Sequence, residues 1–141
     1  MQLPPSLSFD PSVARAFLSL VRRLYDGFVV YEPRYVSWFS PAVGALFHHY
    51  RISRAAADPP PVPAAAIVGG WPRVAYFRLH GSPHVYWSRY DANSIATLAR
   101  TLPMLVAADE VWFIFDNTAA GAAIENAWEL LECLSRESLA E

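Results

Sequence analysis

Lysine is absent from this chain. All eleven basic side chains are arginine, so there is no ε-amino group to form a Schiff base, hold pyridoxal phosphate or complete a phosphate-binding P-loop. Cysteine occurs once, at Cys133, which excludes an internal disulfide. It falls in an apolar helical pattern with no cysteine or histidine at metal-ligand spacing, and reads as a packed thiol. Charged residues make up only 17% of the chain and hydrophobic ones 54%, yet no apolar run approaches the ~18 residues needed to cross a bilayer. The opening Met1-Gln2-Leu3-Pro4-Pro5 has neither a basic leader nor a long apolar stretch, so no secretory signal is read there. A net charge of −2, with Arg15, Arg22, Arg23, Arg51, Arg54 and Arg100 dispersed among acids, lacks the basic stripe of a nucleic-acid binder. The expectation is one soluble, cytoplasmic unit over residues 1–141, with neither a membrane nor a nucleic acid as partner.

What is present is an alternation of helical and extended patterns. Asp10-Pro11 caps an apolar stripe of Val13, Phe17, Leu20, Val21 and Leu24, predicting a helix over Pro11–Tyr25. Phe28 to Glu32 reads as a strand stopped by Pro33. A second helix runs from Ser40-Pro41 through Tyr50. Arg51 to Ala57 is a weaker strand, while Val74 to His80 and Val111 to Phe115 are stronger ones, rich in β-branched and aromatic residues. A helix starting at Asp91 or Asn93 and stopped at Pro103 joins the last two. A final helix spans Ala119 to Leu134. The Pro/Ala-rich segment 58–73 takes the place of a helix between two strands, and is either an inert linker or a functional loop. Such alternation argues for a parallel sheet with helices outside it.

Ligands of parallel α/β sheets bind at the carboxyl ends of strands, and the polar residues gather there. Glu32 and Arg34 follow the first strand, Asp58 the second, Arg78 and His80 end the third, and Asp116 with Asn117 ends the fourth. Side-chain alternation places Tyr76, Arg78 and His80 on one face and Ala75, Phe77 and Leu79 on the face toward the helices. Arg78 then requires Glu32 or Asp116 as partner. One reading is a catalytic set of His80 as general acid or base oriented by Glu32 or Asp116, with Arg34, Arg78, Tyr86 and Tyr90 around a small anionic ligand, while capping of the following helix alone would explain Asn117. The other is an ion-pair network that serves only packing. His80 and His84 are separated by Gly81 and Pro83, which prevents helical alignment for a metal, and His48-His49 point in different directions. No metal site and no cofactor is assigned.

Gln2-Leu3-Pro4-Pro5-Ser6, Glu32-Pro33-Arg34 with Trp38-Phe39, Arg78-Leu79-His80-Gly81-Ser82, Tyr86-Trp87, Tyr90 and Ile114-Phe115-Asp116-Asn117-Thr118 together resemble the YecE-like family, the domain of unknown function 72 family. The resemblance covers almost the whole chain. It implies a TIM-barrel-like fold and matches the family's arginine, histidine and asparagine positions to Arg34, His80 and Asn117, without assigning a reaction. It also implies an absent N-terminal half, because a family motif around Asn-Ser-Thr-Phe-Tyr has no counterpart here. The expected architecture is therefore a partial (β/α)8-like barrel, whose open edges would be closed by self-association or by a missing N-terminal half. The expected function is that of an enzyme-like fold binding a small anion, or of a non-catalytic structural or assembly fragment.

Overall fold

The computed structural model describes residues 1–138 of the chain. Helix α1 (Pro11–Leu24) begins where the Asp10 carboxylate accepts from the backbone N–H groups of Ser12 and Val13, with Pro11 at the first helical position. Strand β1 (Val29–Tyr31) follows, then a 3-10 turn over Val36–Phe39 and helix α2 (Pro41–His49), capped by the Ser40 hydroxyl. The side chain of Arg22 in α1 donates to the carbonyls of Gly27, Tyr50 and Arg51. This ties the end of α1 to the turn that leaves α2.

The weak strand predicted over Arg51 to Ala57 is two strands, β2 (Ile52–Arg54) and β3 (Ala56–Asp58). β2 pairs with β1 in parallel, and β3 pairs in parallel with β5 (Val74–Leu79), which pairs in parallel with β6 (Glu110–Phe115). The run changes neighbour at Ala55, whose N–H still donates to the Tyr31 carbonyl at 2.8 Å. Parallel strands thus follow one another in chain order, and the residues Met1–Leu3 add a further parallel bridge, Gln2 beside Glu32. The sheet does not close into a barrel among the described residues.

One strand departs from the expected parallel arrangement. Within the Pro/Ala-rich segment, a 3-10 turn (Pro63–Ala66) leads to β4 (Gly69–Gly70), which lies antiparallel to β2. A side chain is excluded at Gly70, because its φ is +69° and a Cβ there would sit 2.5 Å from the Ile52 carbonyl oxygen. Ser53 Oγ donates to the Trp71 carbonyl and Arg54 to those of Ala64 and Ile67, which fastens the segment to β2.

Helix α3 (Ala92–Ala99) starts at the Asp91 cap, the first of the two predicted positions. Helix α4 (Ala122–Ser138) begins three residues later than predicted. Gly121 adopts a φ of +79° and its N–H closes a turn onto Thr118, so the helix cannot extend back to Ala119.

Two apolar cores flank the parallel run. Leu18, Tyr31, Trp38, Val43, Phe47 and Ile52 pack α1 and α2 onto β1 and β2. Ala75, Phe77, Leu79, Ile95, Ala99 and Leu130 pack α3 and α4 onto β5, where Phe77 also stacks on Phe113 of β6 at 4.7 Å. Each buried Leu, Ile or Phe side chain contributes roughly 1.5–3 kcal/mol. The alternation predicted along β5 is present: Ala75, Phe77 and Leu79 meet the helices, and Tyr76 and Arg78 occupy the opposite, inner face.

Candidate functional site

Three strand ends bring four polar side chains together. Glu32 follows β1, Arg78 and His80 lie in and just after β5, and Asp116 follows β6. The parallel registers Arg78 to Ile114 and Leu79 to Phe115 place Asp116 beside His80. Arg78 bridges the two carboxylates: Nη1 donates to Glu32 Oε2 at 3.2 Å and Nη2 donates to Asp116 Oδ2. The expected partner, Glu32 or Asp116, is both.

His80 lies between the same two carboxylates. Its Nε2 is 3.5 Å from Glu32 Oε1 and its Nδ1 is 3.1 Å from Asp116 Oδ2. The second approach is close but not aligned as a hydrogen bond, and Nδ1 makes no other. Glu32 also accepts from Gln2 Nε2 at 3.0 Å. Burial works against ionising Glu32, but the contacts from His80 and Gln2 and the charge of Arg78 outweigh it, and hold its carboxyl below the usual range. With His80 neutral the four groups sum to one negative charge, and with His80 protonated they sum to zero.

Beside this cluster is a cavity of about 220 Å³, bounded by Gln2, Glu32, Arg34, His80, Tyr86 and the run Pro59 to Pro61. Arg34 is exposed on its wall. Tyr86 is also exposed, with its ring edge-on to His80 at 5.9 Å. The Tyr86 backbone is left-handed, at φ +69°; its N–H donates to the His80 carbonyl at 2.5 Å and its carbonyl accepts from Ala119. The residues 81–90 are in this way folded back over the strand ends.

The other two predicted residues, Tyr90 and Asn117, belong to a separate network beneath that loop. The Tyr90 hydroxyl accepts from Gly81 N–H at 2.9 Å and donates to the Asp58 carbonyl at 3.3 Å, and burial pushes its pKa up. Asn117, fully buried, donates from Nδ2 to the Ser88 carbonyl and to Asn126 Oδ1. Asn126 in turn accepts from Tyr90 N–H and donates to the Tyr90 carbonyl and to Glu129. Gly81 is required in this loop: at φ +91°, a Cβ would lie 2.8 Å from the Ser88 carbonyl oxygen and 3.1 Å from Asn117 Cβ.

The site therefore unites Glu32, Arg78, His80 and Asp116, sets Arg34 and Tyr86 on an adjoining cavity wall, and leaves Tyr90 and Asn117 as braces of the covering loop. The sequence reading missed Gln2 and Asn126 as contributors. Asn126 has a readable signal, since it falls with Ala122, Ala123 and Leu130 on the buried stripe of α4 and interrupts it with an amide. Among the described residues no three His, Cys, Asp or Glu side chains form a group able to hold a metal ion. No described helix is long and apolar enough to cross a membrane.

A family model described as a protein of unknown function, DUF72, matches residues 1–140. Two crystal structures of a DUF72 family protein from Enterococcus faecalis are similar in fold, with TM-scores of 0.77 and 0.75 at 21% and 24% identity, over 95% of this chain and 57% and 59% of theirs. A DUF72 family protein from Thermotoga maritima gives a TM-score of 0.75 at 23% identity, over 95% of this chain and 56% of its own. The chain thus spans less than three fifths of the length of the solved structures it matches. No curated protein matches it.

Proposed function

From the premise that the chain belongs to the DUF72 family of proteins of unknown function, we propose that it carries an acid–base centre for a small anionic ligand at the strand ends of one arc of a TIM-like barrel. The observation that supports this reading is His80 set between two carboxylates, 3.5 Å from Glu32 and 3.1 Å from Asp116, at the wall of a cavity. A ligand in that cavity meets the Glu32 carboxylate and the His80 ring side by side. Proton uptake by His80 takes the cluster from one negative charge to none.

The roles divide by geometry. Both terminal nitrogens of Arg78 are occupied by carboxylates, so Arg78 positions Glu32 and Asp116 and is replaced as the direct ligand contact by Arg34. Arg34 is the cation on the cavity wall, and Tyr86 with Pro59 to Pro61 forms the apolar side. A cytoplasmic setting belongs to the same proposal. So does a covering for the open ends of the arc, by a second copy or by a polypeptide that supplies the remainder of the fold seen in the relatives.

Thermal-shift and NMR titrations with small carboxylates and phosphates test the site. Anions are expected to raise the melting temperature of the wild type, and Arg34→Ala to abolish the shift, while His80→Gln binds the anion but no longer exchanges a proton with it. Equal binding by wild type and Arg34→Ala would sink the ligand assignment. A second reading, a packing network without chemistry, is favoured by the mutual saturation of Arg78 and its carboxylates. Under that reading His80→Gln changes the melt alone.

A further inference from the structure

The cavity beside His80 is short of hydrogen-bond donors. Four of the residues that bound it, Pro33, Pro59, Pro60 and Pro61, have no backbone N–H to offer. Three others spend theirs inside the fold: Glu32 N–H donates to the Met1 carbonyl, His80 N–H to that of Asp58 and Tyr86 N–H to that of His80. The Gln2 side-chain amide is turned onto Glu32, and both terminal nitrogens of Arg78 are held by carboxylates. The charged donor on the wall is Arg34.

Sites for phosphate surround several oxygens with backbone N–H groups, at a helix start or in a glycine-rich turn. A wall of prolines supplies the reverse. One guanidinium, with its planar fork of N–H groups, matches the two oxygens of a single carboxylate. The remaining wall is largely apolar, so that carboxylate needs a hydrocarbon body behind it to remove the proline rings and Val85 from water.

Two rings set the shape of that body. The planes of His80 and Tyr86 stand at 89°, with centroids 5.9 Å apart, and form a corner. A planar ring parallel to either one is perpendicular to the other, so it stacks on the first and meets the second edge-on, the two arrangements that aromatic pairs prefer. Tyr86 is held there at φ +69°, a conformation rare for an aromatic residue, and backbone outliers of this kind gather at ligand clamps. At about 220 Å³ the cavity is smaller than the roughly 300–1,000 Å³ that takes a drug-sized ligand, which suits a single ring.

We propose that the ligand is a small aromatic monocarboxylate, with its carboxylate on Arg34 and its ring in the corner of Tyr86 and His80 against the prolines. This rests on the reading of the cavity as an anion site and adds the class of anion. The Pro/Ala-rich segment then has a function: in place of a helix between β3 and β5, it sets a donor-free wall at the end of β3.

Chemical-shift titrations of the isotope-labelled full chain with benzoate, cyclohexanecarboxylate, acetate and inorganic phosphate test the class. Benzoate is expected to bind about tenfold tighter than acetate or phosphate and about threefold tighter than cyclohexanecarboxylate, shifting the amides of Arg34, His80 and Tyr86. Tyr86→Gly removes the ring, while glycine keeps the left-handed backbone without strain, and it should bring benzoate down to the level of acetate. If circular dichroism shows that variant to be unfolded, the ranking of the four probes on the wild type decides. Phosphate or cyclohexanecarboxylate binding as tightly as benzoate, or a benzoate preference that survives in Tyr86→Gly, overturns the aromatic class while the anion site stands. Binding of none of the four, or binding indifferent to Arg34→Ala, overturns the site and the class with it.

Discussion

Two polar networks lie at either end of the loop 81–90, and they use opposite chemistry. At its start, Glu32, Arg78, His80 and Asp116 form a charged cluster that keeps some contact with solvent, from 9% of the Glu32 side chain to 28% of Asp116, and borders a cavity. At its end, Asn117 and Asn126 form a neutral amide network with no exposure, bonded to the backbone of Ser88 and Tyr90. Ions are costly to desolvate fully, so they sit where water or a ligand can reach them. Neutral amides satisfy buried backbone groups at lower cost and fix a loop in place. The difference separates the part of the molecule that can exchange a proton from the part that holds the frame around it.

The comparison breaks most visibly at Asn126. Asn126→Leu leaves the N–H and carbonyl of Tyr90 without partners, and at about 2 kcal/mol for each buried group the loss is about 4 kcal/mol. Urea denaturation of the variant should show that loss unchanged across acidic and neutral pH, since no titrating group is removed from the charged cluster. A loss below about 1 kcal/mol would mean that water replaces the amide and that the loop does not depend on it.

Arg78→Met is the matching change in the charged network, with a smaller and pH-dependent effect. It leaves two carboxylates facing each other, and the partial exposure of the cluster reduces the usual penalty for a broken buried pair to about 2 kcal/mol. Glu32 is held below its ordinary value of 4.5 in the folded protein. Its contribution to stability is therefore complete above that pH and is lost as pH falls through the lower folded value. Denaturation midpoints between about pH 5 and pH 3 should slope with pH in the wild type and flatten in Arg78→Met. An identical slope in both would remove Arg78 as a cause of the Glu32 shift.

Much of the charged network was legible in the sequence and little of the amide network. Polar residues at successive strand ends, together with the two-residue alternation along β5, locate Glu32, Arg78, His80 and Asp116 and require a carboxylate for Arg78. Helix starts at Asp10, Ser40 and Asp91 follow from capping chemistry that acts within a few residues. The switch of partner at Ala55 and the antiparallel β4 were not legible. They depend on which strand lies next to which, and a Gly69-Gly70 pair has no side-chain period to read. Tyr90 reads as a ligand contact because it stands in a loop over the strand ends, and Asn117 because it matches the family's asparagine position. Their bonds run to groups 9 to 36 residues away, and only the folded chain shows that those bonds turn them inward.

Gln2 offers the finest test of the comparison, because it is a neutral amide placed in the charged network. Its Nε2 donates to Glu32 Oε1 at 3.0 Å, the same oxygen that His80 approaches. Removing it in Gln2→Ala costs about 1 kcal/mol as a single hydrogen bond to a charged acceptor partly open to solvent. The more informative readout is acid titration of Glu32 by NMR. Gln2 is one of the contacts that lower its pKa, beside His80 and Arg78, so the substitution should move the Glu32 midpoint upward. If Gln2→Ala lowers stability but leaves that midpoint in place, Gln2 acts only as packing at the bridge between Met1–Leu3 and β1. If the midpoint rises, the amide tunes the charge of the carboxylate facing the cavity, and the division between framing amides and exchanging ions does not hold at this one position.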